Sequence, residues 1–178
     1  MTVDDIIGVY ASRGARRYRN EPVSQLEHAL QCAALAQAAS ASAELVAAAF
    51  LHDLGHLITE EASDSDERIA DLHQYVAIPF LHRIFPATVT EPIRLHVDAR
   101  RLVSRAEIGY RLCLSPATRR GVDSPGRAFS PLEAEFFLAR PHAWDAIQLR
   151  RWDDHANVAG KQTPSLNEMR SLLLSLEA

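Results

Sequence analysis

Apolar residues recur along this chain at three- and four-residue intervals, the period of a helix that buries one face. No stretch alternates convincingly enough to pair as strands. Val3 to Ser12 reads as a short amphipathic helix closed by Gly14, followed by the polar loop Arg16 to Pro22. Ser24-Gln25-Leu26-Glu27 has the form of a capping box, and the Ala/Leu-rich run after it predicts a buried helix to about Ala39. Ser42 can cap a third helix that runs through Leu45, Ala49 and Leu51 into His52-Asp53 and leaves at Gly55 and Leu57-Ile58-Thr59. Glu60 to Glu67 is acidic and serine-rich, a solvated loop. Arg68 to Phe85 reads as a helix interrupted or bent near Pro79, and Pro86, Pro92, Pro116 and Pro125 punctuate the middle of the chain. Ser130-Pro131-Leu132-Glu133 is a second capping box with proline at the first helical position. Pro141 to about His155 carries Trp144, Ile147, Leu149 and Trp152 on a helical period. After a linker from Gly160 to Pro164, Ser165 opens a last helix with Leu172, Leu173 and Leu176 as its stripe. The expectation is an all-α fold in one domain spanning residues 1–178.

Composition adds mainly exclusions. A length of 178 residues suffices for one sizeable core, and a net charge of −4 gives no reason to expect nucleic-acid binding. Cys32 and Cys113 are too far apart for a zinc motif, and Cys32 reads as a small buried hydrophobe. The acidic N-terminus lacks a signal-peptide pattern and no apolar window reaches membrane-span length, which predicts a cytoplasmic protein with no membrane partner.

Histidine changes the picture. Of eight histidines, five fall into a pattern with two aspartates. His52 stands directly before Asp53 in an apolar run, where a lone carboxylate costs several kcal/mol unless it is paired or bound to a metal. His28 follows the first capping box, His73 lies early in the next helix, His96 ends Glu91-Pro92-Ile93-Arg94-Leu95-His96, and Asp153 follows Trp152. Each has apolar neighbours at helical spacing, so each is expected to face inward. Singly, each reads as an ordinary core or surface residue. Together, four imidazoles and two carboxylates on separate helices fit two adjacent metal ions with Asp53 between them. His56, one turn after His52, could ligate, support a ligand or contact an anion.

The order His28, His52-Asp53, Asp153 resembles the HD-domain superfamily of metal-dependent phosphohydrolases, which form helical bundles. A closer likeness is to its oxygenase branch. Tyr18-Arg19-Asn20-Glu21, Gln25-Leu26-Glu27-His28, Leu51 to His56, His73, His96-Val97, Leu114-Ser115, Arg150-Arg151-Trp152-Asp153 and Gly160-Lys161-Gln162-Thr163 together resemble the PhnZ-type phosphonate dioxygenases. The resemblance implies a single HD-domain helical bundle holding two iron ions in a mixed-valent Fe(II)/Fe(III) state, with O2 as co-substrate. One iron would be held by His28, His52, Asp53 and Asp153, the other by Asp53, His73 and His96. Tyr18 would cover an open position until substrate displaces it, with Glu21 moving in to meet a substrate amine; these two and His56 are the implied catalytic residues. Tyr18, Glu21, His56, Arg100, Thr118 and Arg150 would bind substrate. Arg100 stands where the family has a lysine, which exchanges a point charge for a fork. Ser124-Pro125-Gly126-Arg127 stands where the family is richer in glycine. Arg101, Arg105, Arg119 and Arg120 read as a solvated basic face.

The implied reaction is cleavage of the C–P bond of a small-molecule 1-hydroxyphosphonate, such as 2-amino-1-hydroxyethylphosphonate or an N-methylated relative, to phosphate and a carboxylic acid such as glycine. The alternative on the same ligands is an HD phosphohydrolase acting on a nucleotide or phosphate monoester. Tyr18 and Glu21 favour the oxygenase, since hydrolysis has no evident use for them.

Overall fold

The computed structural model describes residues 1–18, 21–59, 73–106 and 128–177. Among these the chain is all-α: α1 Val3–Arg13, α2 Gln25–Ala38, α3 Ala43–Leu51, α4 Leu54–Ile58, α5 His73–Leu81, α6 Ala87–Ala106, α7 Pro131–Leu138, α8 Ala143–His155 and α9 Leu166–Leu174. Pairing between extended segments is limited, among the described residues, to one isolated antiparallel bridge between Arg17 and Ser24. The acidic stretch 60–67 and the Leu114-Ser115, Pro116, Ser124 and Pro125 positions lie outside the described residues. No described helix is long and apolar enough to cross a membrane.

The helix starts follow the local chemistry. Ser24 accepts from the Glu27 N–H at 3.2 Å while Glu27 Oε2 takes the Ser24 N–H at 2.7 Å, and the same reciprocal pair opens α7 at Ser130–Glu133 and α9 at Ser165–Glu168. α1 opens on a Thr2–Asp5 box of the same kind. α3 is the central helix. Every residue from Leu45 to Leu51 is buried, because α2, α6, α8 and α9 all pack around it. Ala47, Ala48 and Ala49 have almost no side chain, which lets those neighbours approach closely. A second apolar cluster joins Leu95, Ala99, Leu102 and Val103 of α6 to Phe129, Phe137 and the start of α8.

Three expectations are corrected. Pro92 does not break the chain: residues 87–106 form one helix through it, and Pro86 at its entrance accepts from Val89 N–H at 3.0 Å. Pro92 is the sixth residue of α6, past its first turn, so it removes the N–H that would bond the Thr88 carbonyl; packing of α6 against α3, α5 and α8 carries the helix through. Pro79, where a bend was expected, lies within α5. Trp144 shares the period of Ile147 and Leu149 but is 63% exposed, since the buried face of α8 runs through Ala143, Ala146 and Ile147 and Trp144 lies on the outward face with Gln148. Lastly, His52-Asp53 lies at a break between α3 and α4 and not within one helix.

That break is held from two sides. The Phe50 carbonyl, left over at the end of α3, accepts from the buried Tyr10 hydroxyl at 2.7 Å. Arg13 Nη1 donates to the Leu57 carbonyl at 2.9 Å at the far end of α4. α4 then crosses α5 at Gly55. The glycine is there for close approach and not to end a helix: a Cβ would overlap the His73 carbonyl oxygen and stand 2.7 Å from its carbon. Gly55→Ala must therefore push the two helices apart, at a cost of about 1–3 kcal/mol. For a chain of this size the melting temperature should fall on the order of 5–10 °C. Gly8→Ala is the control. Nothing lies within 4 Å of a Cβ there, so the helix-interior alanine should leave melting unchanged or slightly raised. Thermal unfolding of the two variants checks both outcomes.

Candidate metal centre

The break after Leu51 also fixes the chemistry of His52. The Ala49 carbonyl meets His52 Nδ1 at 2.9 Å. A carbonyl oxygen only accepts, so Nδ1 carries the hydrogen and the lone pair lies on Nε2. The same device recurs twice. His28, in the first turn of α2, bonds the Ala156 carbonyl through Nδ1 at 2.9 Å, and His96 on α6 bonds the Ile93 carbonyl through Nδ1 at 2.6 Å. Three buried imidazoles thus turn an acceptor nitrogen inward, His28 and His52 to one side of Asp53 and His96 to the other.

Around Asp53 the side chains converge. His28 Nε2 and His52 Nε2 are 3.4 Å apart, and Asp153 Oδ1 is 3.3 Å from the first and 3.8 Å from the second. Asp53 offers Oδ1 at 3.5 Å from His52 Nε2 and Oδ2 at 3.8 Å from His28 Nε2. Donors sharing one ion with bonds of about 2.1 Å stand about 3.0–3.4 Å apart, so this quartet is close to ligand spacing. On the other side of Asp53, His73 Nε2 is 2.9 Å from Oδ1 and 3.1 Å from His96 Nε2, with His96 itself 3.9 Å from Oδ1. All six side chains are buried, as their apolar neighbours predicted.

Two features fit a positive charge at this point. Two nitrogens that are both acceptors face each other at 3.4 Å, a repulsive arrangement unless a positive ion lies between them. Asp53 Oδ2 is enclosed and makes no hydrogen bond. Without a metal, protons take part of this role. Burial disfavours a charged His52, but the Asp53 and Asp153 carboxylates outweigh it and lift the imidazole to about 9. Burial likewise works against charge on Asp53 and Asp153, yet His52 and His73 hold the former, and Arg150, His28 and His52 the latter, well below the usual carboxylate range. Burial, with His73 and His52 beside it, pushes His96 well down.

The remaining predicted residues divide. Tyr18 is brought in by the turn before α2, where its N–H bonds the Val23 carbonyl and its carbonyl takes the Glu21 N–H. Its ring stacks on His28 with centroids 3.7 Å apart, and its hydroxyl lies 3.2 Å from Asp153 Oδ1. Glu21 stands on the same turn, half-buried, with Oε2 3.5 Å from Asn157 Nδ2. His56 stacks on His73 at 4.0 Å, and its Nε2 is 4.0 Å from Asp53 Oδ1, near enough to join the second group of donors. Arg100 is buried one turn beyond His96. Arg150 is buried and engaged: Nη1 donates to Asp153 Oδ2 at 2.6 Å, Nε to Asp154 Oδ2 at 3.0 Å, and Nη2 to Asp154 Oδ1. Thr118, Arg119 and Arg120 lie outside the described residues. Arg101 is partly exposed; it lies over the Phe129 ring at 4.4 Å and reaches Asp98 at 3.8 Å and Glu133 at 3.7 Å.

Two neighbours escaped the sequence reading. Cys32 Sγ lies 3.6 Å from His28 Nε2; its i+4 spacing from His28 was the available signal. Asp154 has a buried carboxylate that takes the fork of Arg150, again at i+4. In both cases the spacing is common on helices and points to no particular partner.

No family model matches the chain. Curated relatives do. The chain is 39% identical over 153 residues to the hydroxymethylphosphonate dioxygenase of Gimesia maris, covering 85% of this chain and 76% of that one. It is 30% identical over 166 residues to the glycine-betaine-forming 1-hydroxy-2-(trimethylamino)ethylphosphonate dioxygenase of Leisingera caerulea, covering 91% and 83%. It is 29% identical over 177 residues to an uncharacterized protein of Acanthamoeba polyphaga mimivirus, covering 97% and 80%. Identity of this extent, over most of both chains and on a fold with a buried His/Asp cluster able to hold metal, means that the chain belongs to the phosphonate dioxygenase family.

Proposed function

We propose that this protein is a di-iron dioxygenase that cleaves the C–P bond of a 1-hydroxyphosphonate. The observation that carries the reading is the inward convergence of imidazole Nε2 atoms on both sides of the Asp53 carboxylate, with the Tyr18 hydroxyl at its edge. His28, His52, Asp53 and Asp153 would hold one ion, and Asp53, His73 and His96 the other, in the mixed-valent state. Mixed imidazole and carboxylate donors suit iron. Iron bound there would supply the activation of dioxygen and the oxidation of the substrate carbon.

The reaction balances as R–CH(OH)–PO3²⁻ + O2 → R–COO⁻ + HPO4²⁻ + H⁺. Names of the two enzymes support the substrate class: one acts on hydroxymethylphosphonate and the other forms glycine betaine. For hydroxymethylphosphonate R is hydrogen and the acid is formate.

The chain's own groups bind and orient. Tyr18 covers the quartet and shields it from solvent until substrate takes its place. Glu21, on the same short turn, would move with it and offer its carboxylate to a substrate that carries an amine. His56, Arg100, Thr118 and Arg150 would surround the phosphonate. Arg150 keeps one hydrogen on each terminal nitrogen beyond those given to Asp153 and Asp154, so it can donate to a phosphonate without releasing either.

Iron-loaded protein given hydroxymethylphosphonate, 2-amino-1-hydroxyethylphosphonate and its trimethylammonium analogue under oxygen should release phosphate and the matching acid from at least one. Release should stop when oxygen is withheld. Equal release without oxygen, or release from a phosphate monoester instead, would show a hydrolase. A second outcome concerns pH. A metal at His52 displaces the proton that holds this imidazole at about 9, so metal affinity should rise about tenfold per pH unit between pH 7 and 9 and then level off. In the metal-free protein the same raised value contributes stability that is complete below about pH 6.5 and lost as pH rises through about 9. Zinc titration against a chelator, with melting of the metal-free protein across the same range, checks both; a flat affinity contradicts the ligand role of His52.

A further inference from the structure

Gln31 is a buried amide on α2 that the reading above does not use. It is 1% exposed. Both ends of its amide are satisfied by one residue 127 positions away: Nε2 donates to the Val158 carbonyl at 2.9 Å, and Oε1 accepts from the Val158 N–H at 3.0 Å. The side chain thus pairs with the backbone as a neighbouring strand would. Burying an amide is costly unless both ends are bonded, and an apolar residue would fill the same space.

What the amide holds is the chain just past the end of α8. There the Ala156 carbonyl, two residues before Val158, accepts from His28 Nδ1 and so fixes which nitrogen of His28 faces Asp153 and His52. Ala156 itself is fully buried, and its N–H bonds back to the Asp153 carbonyl at 3.3 Å. Between them, Asn157 directs Nδ2 to Glu21. Gln31 and His28 are three apart on α2, so one helix face carries both the imidazole and the group that anchors its carbonyl partner.

We propose that Gln31 is a positioning residue of the metal centre: by clamping Val158 it holds the Ala156 carbonyl against His28 Nδ1 and keeps His28 Nε2 aimed at the metal. The inference rests on the ligand role of His28. Supports of this kind, one bond removed from a ligand, commonly change metal affinity by about 10–100-fold.

The test uses the full chain loaded with zinc, which is diamagnetic, and reads two quantities. One is zinc affinity against a chelator. The other is the exchange rate of each ligand imidazole's Nδ1–H with water, by nitrogen-15 NMR. Gln31→Met should lower zinc affinity about tenfold and speed exchange at His28 by a similar factor. His96, whose Nδ1–H is held by Ile93 in its own helix, should be unchanged. Gln31→Glu keeps the side-chain volume and an acceptor for the Val158 N–H while losing the donor. It should show the same selective change, smaller, and it stands in if the methionine variant does not fold. Equal change at His28 and His96 would mean general loosening and overturns the proposal, as does no change at His28. His28→Ala separates the two levels. If it binds zinc as tightly as the parent protein, the ligand reading itself fails; if it does not, yet the Gln31 variants keep their zinc and their His28 proton, only the role of Gln31 fails.

Discussion

The carboxylate of Asp53 is the charge around which this protein is organised. It is buried, one of its oxygens makes no hydrogen bond, and imidazoles from α2, α5 and α6 and from its own neighbour in sequence point at it. A buried anion is tolerable only if positive charge is fixed nearby. Here that charge is a proton on His52 when the site is metal-free, and a pair of cations in the proposed holoprotein. The surrounding helices can be understood as ways of keeping that environment rigid. Backbone carbonyls fix three imidazole tautomers, Tyr10 secures the helix end beside His52, and Gly55 lets α5 bring His73 within reach.

Helix ends do more of this work than helix faces. His52 and Asp53 sit at a break, Ala156 just past the end of α8, His28 in the first turn of α2, and His73 at the start of α5. Ends are where backbone carbonyls and N–H groups lack intrahelical partners. Two of the three carbonyls that orient the histidines come from such places, which makes the second layer of the centre a product of where the chain stops being helical. On the far side Arg150 links Asp153 to Asp154, so the carboxylate that faces His28 is held by a guanidinium on its other oxygen.

Much of this could be read from the chain. The capping boxes at Ser24 and Ser130 and the helix start at Ser165 stand where the sequence puts them, because capping depends on residues three apart. The burial of His28, His52, Asp53, His73, His96 and Asp153 followed from their apolar neighbours. The break after Leu51 could not be read locally: His52, Asp53 and Gly55 are weak helix formers, but nothing beside them says where the helix stops, and the interruption is stabilised by Tyr10 and Arg13 from another helix. Pro92 misled for the opposite reason: it costs one bond of the ladder inside α6, and the packing of that helix against α3, α5 and α8 outweighs this local preference. Gln31 was invisible because its partner is a backbone group 127 residues away, and nothing in a glutamine among alanines announces such a bond.

The central claim is that Asp53 is shared between two ions. Iron content per folded chain, measured after anaerobic loading of the parent protein, His96→Ala and Asp53→Asn, tests it most directly. Two ions are expected in the parent protein, one in His96→Ala and essentially none in Asp53→Asn. One ion in the parent, or two retained by Asp53→Asn, would contradict it.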